Sequence, residues 1–527
     1  MKPTETTPSA KNLPVSIERR YDMDALRGIA MSLGIVLHGT LSFIPNAWPA
    51  EDIRALSDGE GFYDEILSAI HGFRMPLFFL LSGFFTSMVW RRRGAFSLIR
   101  QRFKRIVLPL ILGCLLIVPS VDWASEKALN DSYDDRDQFY SQDLWGPIIE
   151  GQDNVIKRIL SYGVSPNIRG DDNWTPLHIA ILLNEKLAVQ YLLASGADAT
   201  AKTDLGITPI QFAIWNGDQD IANWVIAAGG SIDLEPVKNW ASVDSWGQRP
   251  DELNQAISSI RSDDPFSLHH LWFLWFLCWF VFAYILAIGV RNIRNRIFPS
   301  LSKFSSLRRG AISAIYLIGL LGVSFLCQLQ MSDKGNFRSF GPDTSTSFRI
   351  PAHLFLYYLS FFAFGAVLFS ATRSKGKLLI DDAYKIWMIP FPALLVLFPF
   401  AKQLTGDLGQ NWAVISVFQI SYTWIMTLGL IGLSQRFLSK KRERVRWFSD
   451  SAYWLYLAHI TVLILAQSWI RNVELPGPIK LTGLCFVTTV VLLVSYQLFV
   501  RYTPIGWLLN GKRKKLRYQK DASLAVN

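Results

Sequence analysis

The sequence predicts an all-α polytopic membrane protein, with about ten transmembrane helices and one extracytoplasmic α-helical insert. Three observations predict it. Half of the 527 residues are hydrophobic and only 18% are charged, a balance outside the usual range of soluble domains. Long apolar runs alternate with links that are in turn basic and acidic or neutral, the pattern of helices that cross a bilayer. A 33-residue period interrupts that pattern between the third and fourth runs.

Composition also limits the function. Nineteen Trp and 35 Phe suit a protein that lines membrane interfaces with aromatic rings. Residues 122–264 hold 23 acidic and 10 basic side chains, a net of −13, so the rest of the chain carries +24 of the overall +11. That surplus falls in short clusters between apolar runs, as the positive-inside rule requires, and forms no single basic patch for nucleic acid. Cys114, Cys278, Cys327 and Cys485 lie far apart in apolar runs; they read as small core residues, with no disulfide framework and no metal signature. Residues 1–20 are polar and contain no apolar signal-peptide core, so the first membrane helix is expected to direct insertion.

The expected spans are 26–44, 73–89, 107–121, 268–290, 311–329, 350–370, 386–400, 412–433, 453–470 and 481–500. Links 91–105, 291–309, 373–385, 440–446 and 512–520 are basic, and those between them are acidic or nearly neutral. Placing every basic link in the cytoplasm leaves both termini inside and the long insert outside. The expected organisation is therefore a cytoplasmic tail (1–21), helices one to three (22–121), an acidic periplasmic insert (122–267), helices four to ten (268–505) and a basic cytoplasmic tail (506–527).

Inside the insert, Thr175-Pro176-Leu177-His178-Ile179-Ala180 returns as Thr208-Pro209-Ile210-Gln211-Phe212-Ala213, 33 positions later. Gly163, Gly196 and Gly229 keep the same spacing, as do Leu160, Leu193 and Ile226. The stretch 142–235 thus resembles ankyrin repeats, each a turn and two antiparallel helices. Thr-Pro starts the first helix, and the recurring Gly ends the second where a left-handed residue is needed. His178 reads as a structural turn residue of that motif. The resemblance implies an accessory module that recruits a protein partner or an acceptor.

In the first span, Arg27 and His38 are eleven residues apart, about three helical turns plus ~20°, so they share one face. His38 lies ~16 Å deeper, near the middle of the hydrocarbon core. Ionisable side chains there are costly and mark a functional site facing the bundle interior. Imidazole has an unperturbed pKa near 6.5, suited to taking a hydroxyl proton and returning one to a leaving group; an acyl-imidazole relay is the other chemistry open to it. Arg102 and Arg105 share a face at a cytoplasmic boundary. They suit bidentate phosphate binding or, equally, a topology anchor.

Asp22-Met23-Asp24-Ala25-Leu26-Arg27-Gly28 with His38 resembles the first helix of the membrane acyltransferase-3 family. His71-Gly72-Phe73-Arg74-Met75-Pro76-Leu77-Phe78-Phe79 resembles its second helix, and Arg102-Phe103-Lys104-Arg105 its Arg-x-x-Arg element. His270-Leu271-Trp272-Phe273-Leu274 and Tyr453-Trp454-Leu455-Tyr456-Leu457-Ala458-His459 fit as well, and the forms at 71–75 and 270–274 point to the family's glucan-biosynthesis branch. The insert departs from that branch.

The resemblance implies an enzyme of the bacterial inner membrane. It would move an acetyl or succinyl group from cytoplasmic acyl-CoA, a donor substrate and not a bound cofactor, to a hydroxyl of a periplasmic or cell-surface glycan. It assigns catalysis to His38 and Arg27 and acyl-CoA binding to Arg102 and Arg105. His71 and Arg74, at the outer end of the second helix, become acceptor-side candidates, although snorkelling accounts for Arg74 as well. His459 reads as an interhelical hydrogen-bonding residue. Two other classes stay open: a transporter of a glycan precursor or anion, and an ankyrin-bearing membrane scaffold.

Overall fold

The computed structural model describes residues 20–44, 48–52, 60–139, 144–149, 151, 153–161, 163–204, 206–230, 267–297, 306–331, 333–334, 337–370, 379–406, 411–471 and 473–511. The chain divides into two compact units, one of residues 1–125 and 266–527 and the other of residues 126–265.

The first unit is a helical bundle. Its helices are α1 (Tyr21–Thr40), α2 (Glu60–Arg102) and, after a π-helical turn at Phe103–Val107, α3 (Leu108–Phe139), which runs on past the unit's boundary. Among the described residues seven helices are long and apolar enough to cross a membrane, or eight if one bent pair counts as a span. The sequence suggested ten, and the differences have local causes. One continuous run, Gly61–Leu129, is 69 residues long and contains both the second and third expected spans. Gly94 breaks its helix at φ 76° and ψ 176°, a left-handed backbone that a side chain would strain. The described apolar part of the fifth expected span, Ile315–Gln328, is shorter than a span. The seventh, expected at 386–400, is bent by 61° between Ile380–Ile386 and Pro390–Gly406. Pro390, Pro392 and Pro399 each remove a backbone donor there.

Close packing joins the helices. A Cβ on Gly83 of α2 would run into the Phe362 carbonyl oxygen, and one on Gly365 into that of Leu80. Small residues let the two backbones touch, as in membrane helix pairs. Around this crossing Phe79 packs its ring 4.8 Å from Phe273, 4.9 Å from Tyr358 and 5.1 Å from Phe280. Leu115, Leu116 and Phe486 stay two-thirds exposed, as lipid-facing side chains do.

Pro76 within α2 frees the carbonyl four residues earlier, on Gly72. The Thr423 hydroxyl donates to that oxygen at 2.7 Å, and the Tyr422 hydroxyl donates to Ala69 at 2.8 Å. A neighbouring helix thus satisfies the broken ladder, as a membrane interior demands, and fixes the turn that carries His71 and Arg74.

The second unit is the repeat segment. Helices α4 (Pro176–Leu182) and α5 (Lys186–Ala194) are followed by α6 (Pro209–Asn216) and α7 (Gln219–Ala227). The Thr175 amide donates to His178 Nδ1 at 3.1 Å, and the Thr208 amide donates to Gln211 Oε1 at 2.7 Å. Gln therefore replaces His in the second copy without loss of the capping box. Gly163, Gly196 and Gly229 adopt φ of 87°, 85° and 95°, the left-handed conformation expected of helix-ending glycines.

Candidate functional site

Four ionisable side chains from four separate helical segments meet inside the bundle. His38 comes from α1, Arg74 from α2, and His459 from α8 (Glu443–Ile470). His270 comes from the short turn His269–Leu271. The His38 and His459 rings are 5.3 Å apart, and those of His459 and His270 are 5.1 Å apart. The Arg74 guanidinium lies against Gly34, one turn before His38: a Cβ on Gly34 would overlap Nη1 and come within 3.7 Å of His459 Nε2. Only a glycine allows that approach.

Hydrogen bonds fix the state of two rings. His459 Nδ1 donates to the Tyr456 carbonyl at 2.8 Å, which leaves Nε2 as the bare nitrogen. His270 Nε2 donates to the Leu457 carbonyl at 3.1 Å, which leaves Nδ1 bare. Tyr456 returns a bond from its hydroxyl to the His270 carbonyl at 2.7 Å. His459 Nε2, His270 Nδ1, His38 Nδ1 and Arg74 Nε are all buried without a partner among the described residues. Buried polar atoms normally find partners, so four orphans in one place make this cluster the candidate site for a polar ligand.

A folded-back segment covers His38. The Trp48 ring stacks on it at 5.7 Å and 29°, and Trp48 Nε1 donates to Gln467 Oε1 at 2.7 Å. Gln467 Nε2 donates in turn to the His38 carbonyl at 3.0 Å. Asp52 and Lys480 anchor the same segment through an ion pair of 2.7 Å, each side chain only 2% exposed.

The remaining sequence candidates lie elsewhere. Arg27 pairs with Asp24 at 3.7 Å and packs over Phe85 at 5.7 Å; along α1 it is ~16 Å from His38. Its charge acts on Arg102 together with that of Arg105. Arg102 Nε is buried without a partner among the described residues. Arg105 donates to the Asn510 carbonyl at 3.0 Å, and its own carbonyl accepts from the Tyr453 hydroxyl at 2.5 Å. Arg27, Arg102, Arg105 and Tyr453 thus form a second, basic cluster, joined to the first along both α1 and α8. His71 donates from Nε2 to the Pro342 carbonyl at 2.8 Å, so a loop holds it, and it is close enough to act on His38.

The structure therefore unites His38 with Arg74 and not with Arg27. It adds His270 and His459, for which the sequence offered a motif match and an interhelical hydrogen bond but no shared site. The signal available in sequence was their occurrence as histidines in apolar runs.

Comparisons with known proteins find two families along the chain. A family model for the acyltransferase domain matches residues 20–149 and 210–497, and one for ankyrin repeats, in three copies, matches residues 148–235. Glucans biosynthesis protein C of Escherichia coli strain SMS-3-5 / SECEC is 31% identical over 104 residues, 20% of this chain and 26% of that protein. The same protein of strain K12 is 30% identical over 104 residues. Potassium channel KOR2 of Oryza sativa subsp. japonica is 43% identical over 60 residues, 11% of this chain and 8% of that protein. The chain thus spans about a quarter or less of the length of these curated relatives. No solved structure matches.

Proposed function

The chain belongs to the membrane acyltransferase-3 family, whose domain covers most of it, and from that premise we propose that it transfers an acyl group from acyl-CoA to a glycan hydroxyl. The donor, acetyl- or succinyl-CoA, approaches from the cytoplasm, and its phosphates meet Arg102 and Arg105, with Arg27 beside them. The flexible arm of coenzyme A leads the thioester along α1 to His38. The acceptor, a periplasmic or cell-surface glycan of a bacterial inner membrane, arrives from the opposite side past His71.

His38 acts as general base on the acceptor hydroxyl and then as general acid on the departing thiolate. One observation carries this reading: His38, His270, His459 and Arg74 converge with unpartnered nitrogens inside an apolar bundle. The topology that keeps both termini cytoplasmic and the ankyrin unit periplasmic belongs to the same proposal. There the ankyrin unit recruits a protein partner or the acceptor.

The test is acyl transfer in membranes. Membranes with wild type or His38→Ala receive labelled acetyl- or succinyl-CoA and periplasmic glycans. Label should pass to glycan only with wild type. Equal transfer by His38→Ala would remove His38 from the chemistry, and no transfer by wild type with either donor would remove the enzyme reading.

A further inference from the structure

We propose that Arg74 is a catalytic residue, the group that holds the negative charge formed on the thioester carbonyl oxygen. The inference deepens the acyl-transfer reading and rests on it.

Arg74 is a guanidinium inside the membrane bundle that makes no ion pair with any described residue. The titratable groups around it are the phenols of Tyr456 and Tyr358 and the imidazoles of His38, His459, His270 and His71, and the Asp343 carboxylate acts on Tyr358 and His71. Among the described residues no carboxylate acts on Arg74 itself. A buried cation without an ion-pair partner is costly, and the cost falls when an anion is bound beside it. Gly34 holds this cation against α1 within a turn of His38. The histidines do not supply the missing donor: His459 and His270 each spend an N–H on a backbone carbonyl and turn a lone pair inward. Arg74 brings both charge and N–H donors to the space they surround, with Nε unused.

The reaction generates the anion that this arrangement lacks. The acceptor oxygen forms a C–O bond to the thioester carbon, the π pair of the C=O bond moves to oxygen, and the hydroxyl proton passes to His38. When the C=O bond re-forms, the C–S bond breaks and its electron pair leaves with sulfur. His38 then returns its proton to the thiolate. Arg74 donates to the oxygen while it is charged. Such a donor is worth roughly 100- to 1,000-fold in kcat.

The test uses two unreactive probes on the full-length protein in detergent, S-ethyl-coenzyme A and S-carboxymethyl-coenzyme A. They differ in the carboxylate that the second places at the acyl position. Wild type should bind the carboxymethyl probe at least roughly tenfold tighter, in keeping with a charge-assisted bond. Arg74→Gln should lose that preference while keeping its affinity for the ethyl probe, and Arg74→Lys, which retains charge but not the fork, should keep part of it. Equal affinities in wild type, or a preference that survives in Arg74→Gln, would overturn the role of Arg74. The wild-type comparison decides the point even where a variant fails to fold. Binding of neither probe by wild type would instead sink the acyl-CoA reading, and this inference with it.

Discussion

The Arg74 guanidinium occupies the space where a side chain on Gly34 would begin. The two residues lie on different helices, and the absence of a Cβ on one decides where the charge of the other sits. Gly34→Ala should therefore displace Arg74 without unfolding α1, since alanine favours a helix by about 1 kcal/mol over glycine. Acyl transfer should fall roughly 100-fold, the scale of a misplaced catalytic group, while the melting temperature in detergent stays level or rises. A variant with wild-type transfer would show that the guanidinium need not stand there.

Arg102 and Arg105 offer a different signature. Arg102→Ala should raise KM for the acyl-CoA donor roughly tenfold, as expected for one charge-assisted bond, and leave kcat nearly unchanged because the residue is remote from His38. Steady-state kinetics with labelled acetyl-CoA at varied donor concentration separates the two constants. A fall in kcat alone would place Arg102 elsewhere in the cycle.

The Asp52–Lys480 pair anchors the segment that carries Trp48, and both side chains are 2% exposed. Lys480→Met removes a charge-assisted hydrogen bond from the buried Asp52 carboxylate and should destabilise the bundle by roughly 1.5–3 kcal/mol. The double variant Asp52→Asn with Lys480→Met should recover much of that loss. Thermal unfolding of all three variants in one detergent measures it.

In the ankyrin unit, His178 is fully buried, and burial, the largest cause, pushes its imidazole down to about 4 from the usual 6.5. The unfolded chain binds a proton there more tightly than the folded one between those values. His178 thus contributes its full share of stability above pH 6.5 and loses it as pH falls toward 4, on the order of 3 kcal/mol in all. Hydrogen exchange on the full-length protein should show protection of α4 and α6 falling from pH 7 to pH 5. His178→Gln, which copies the residue at position 211, should flatten that dependence while keeping the cap. An unchanged slope in His178→Gln would assign the pH effect to other groups.

Much of the fold was legible in the sequence because its determinants are local. A membrane helix satisfies its own backbone, so length and apolarity reveal it. A repeat announces itself through the same turn chemistry at a fixed period, and the positive φ of Gly163, Gly196 and Gly229 follows from that period. The count of ten spans is not confirmed, because helix length and helix breaks decide how apolar runs are divided. Gly94 breaks its helix inside the basic link 91–105, where the sequence already separated two spans, whereas the prolines from Pro390 to Pro399 bend an apolar run that hydropathy reads as straight.

Taken alone, the sequence determined the all-helical membrane architecture, the inserted repeats, and the depth of His38 below Arg27. Each depends on the order of residues along one segment. Tertiary structure decided which charges meet. Arg74 joins His38 because α2 crosses α1 at a glycine, and His270 and His459 join them through backbone carbonyls on α8. Hydropathy reports how costly a buried ion is, but only packing determines which neighbour offsets that cost.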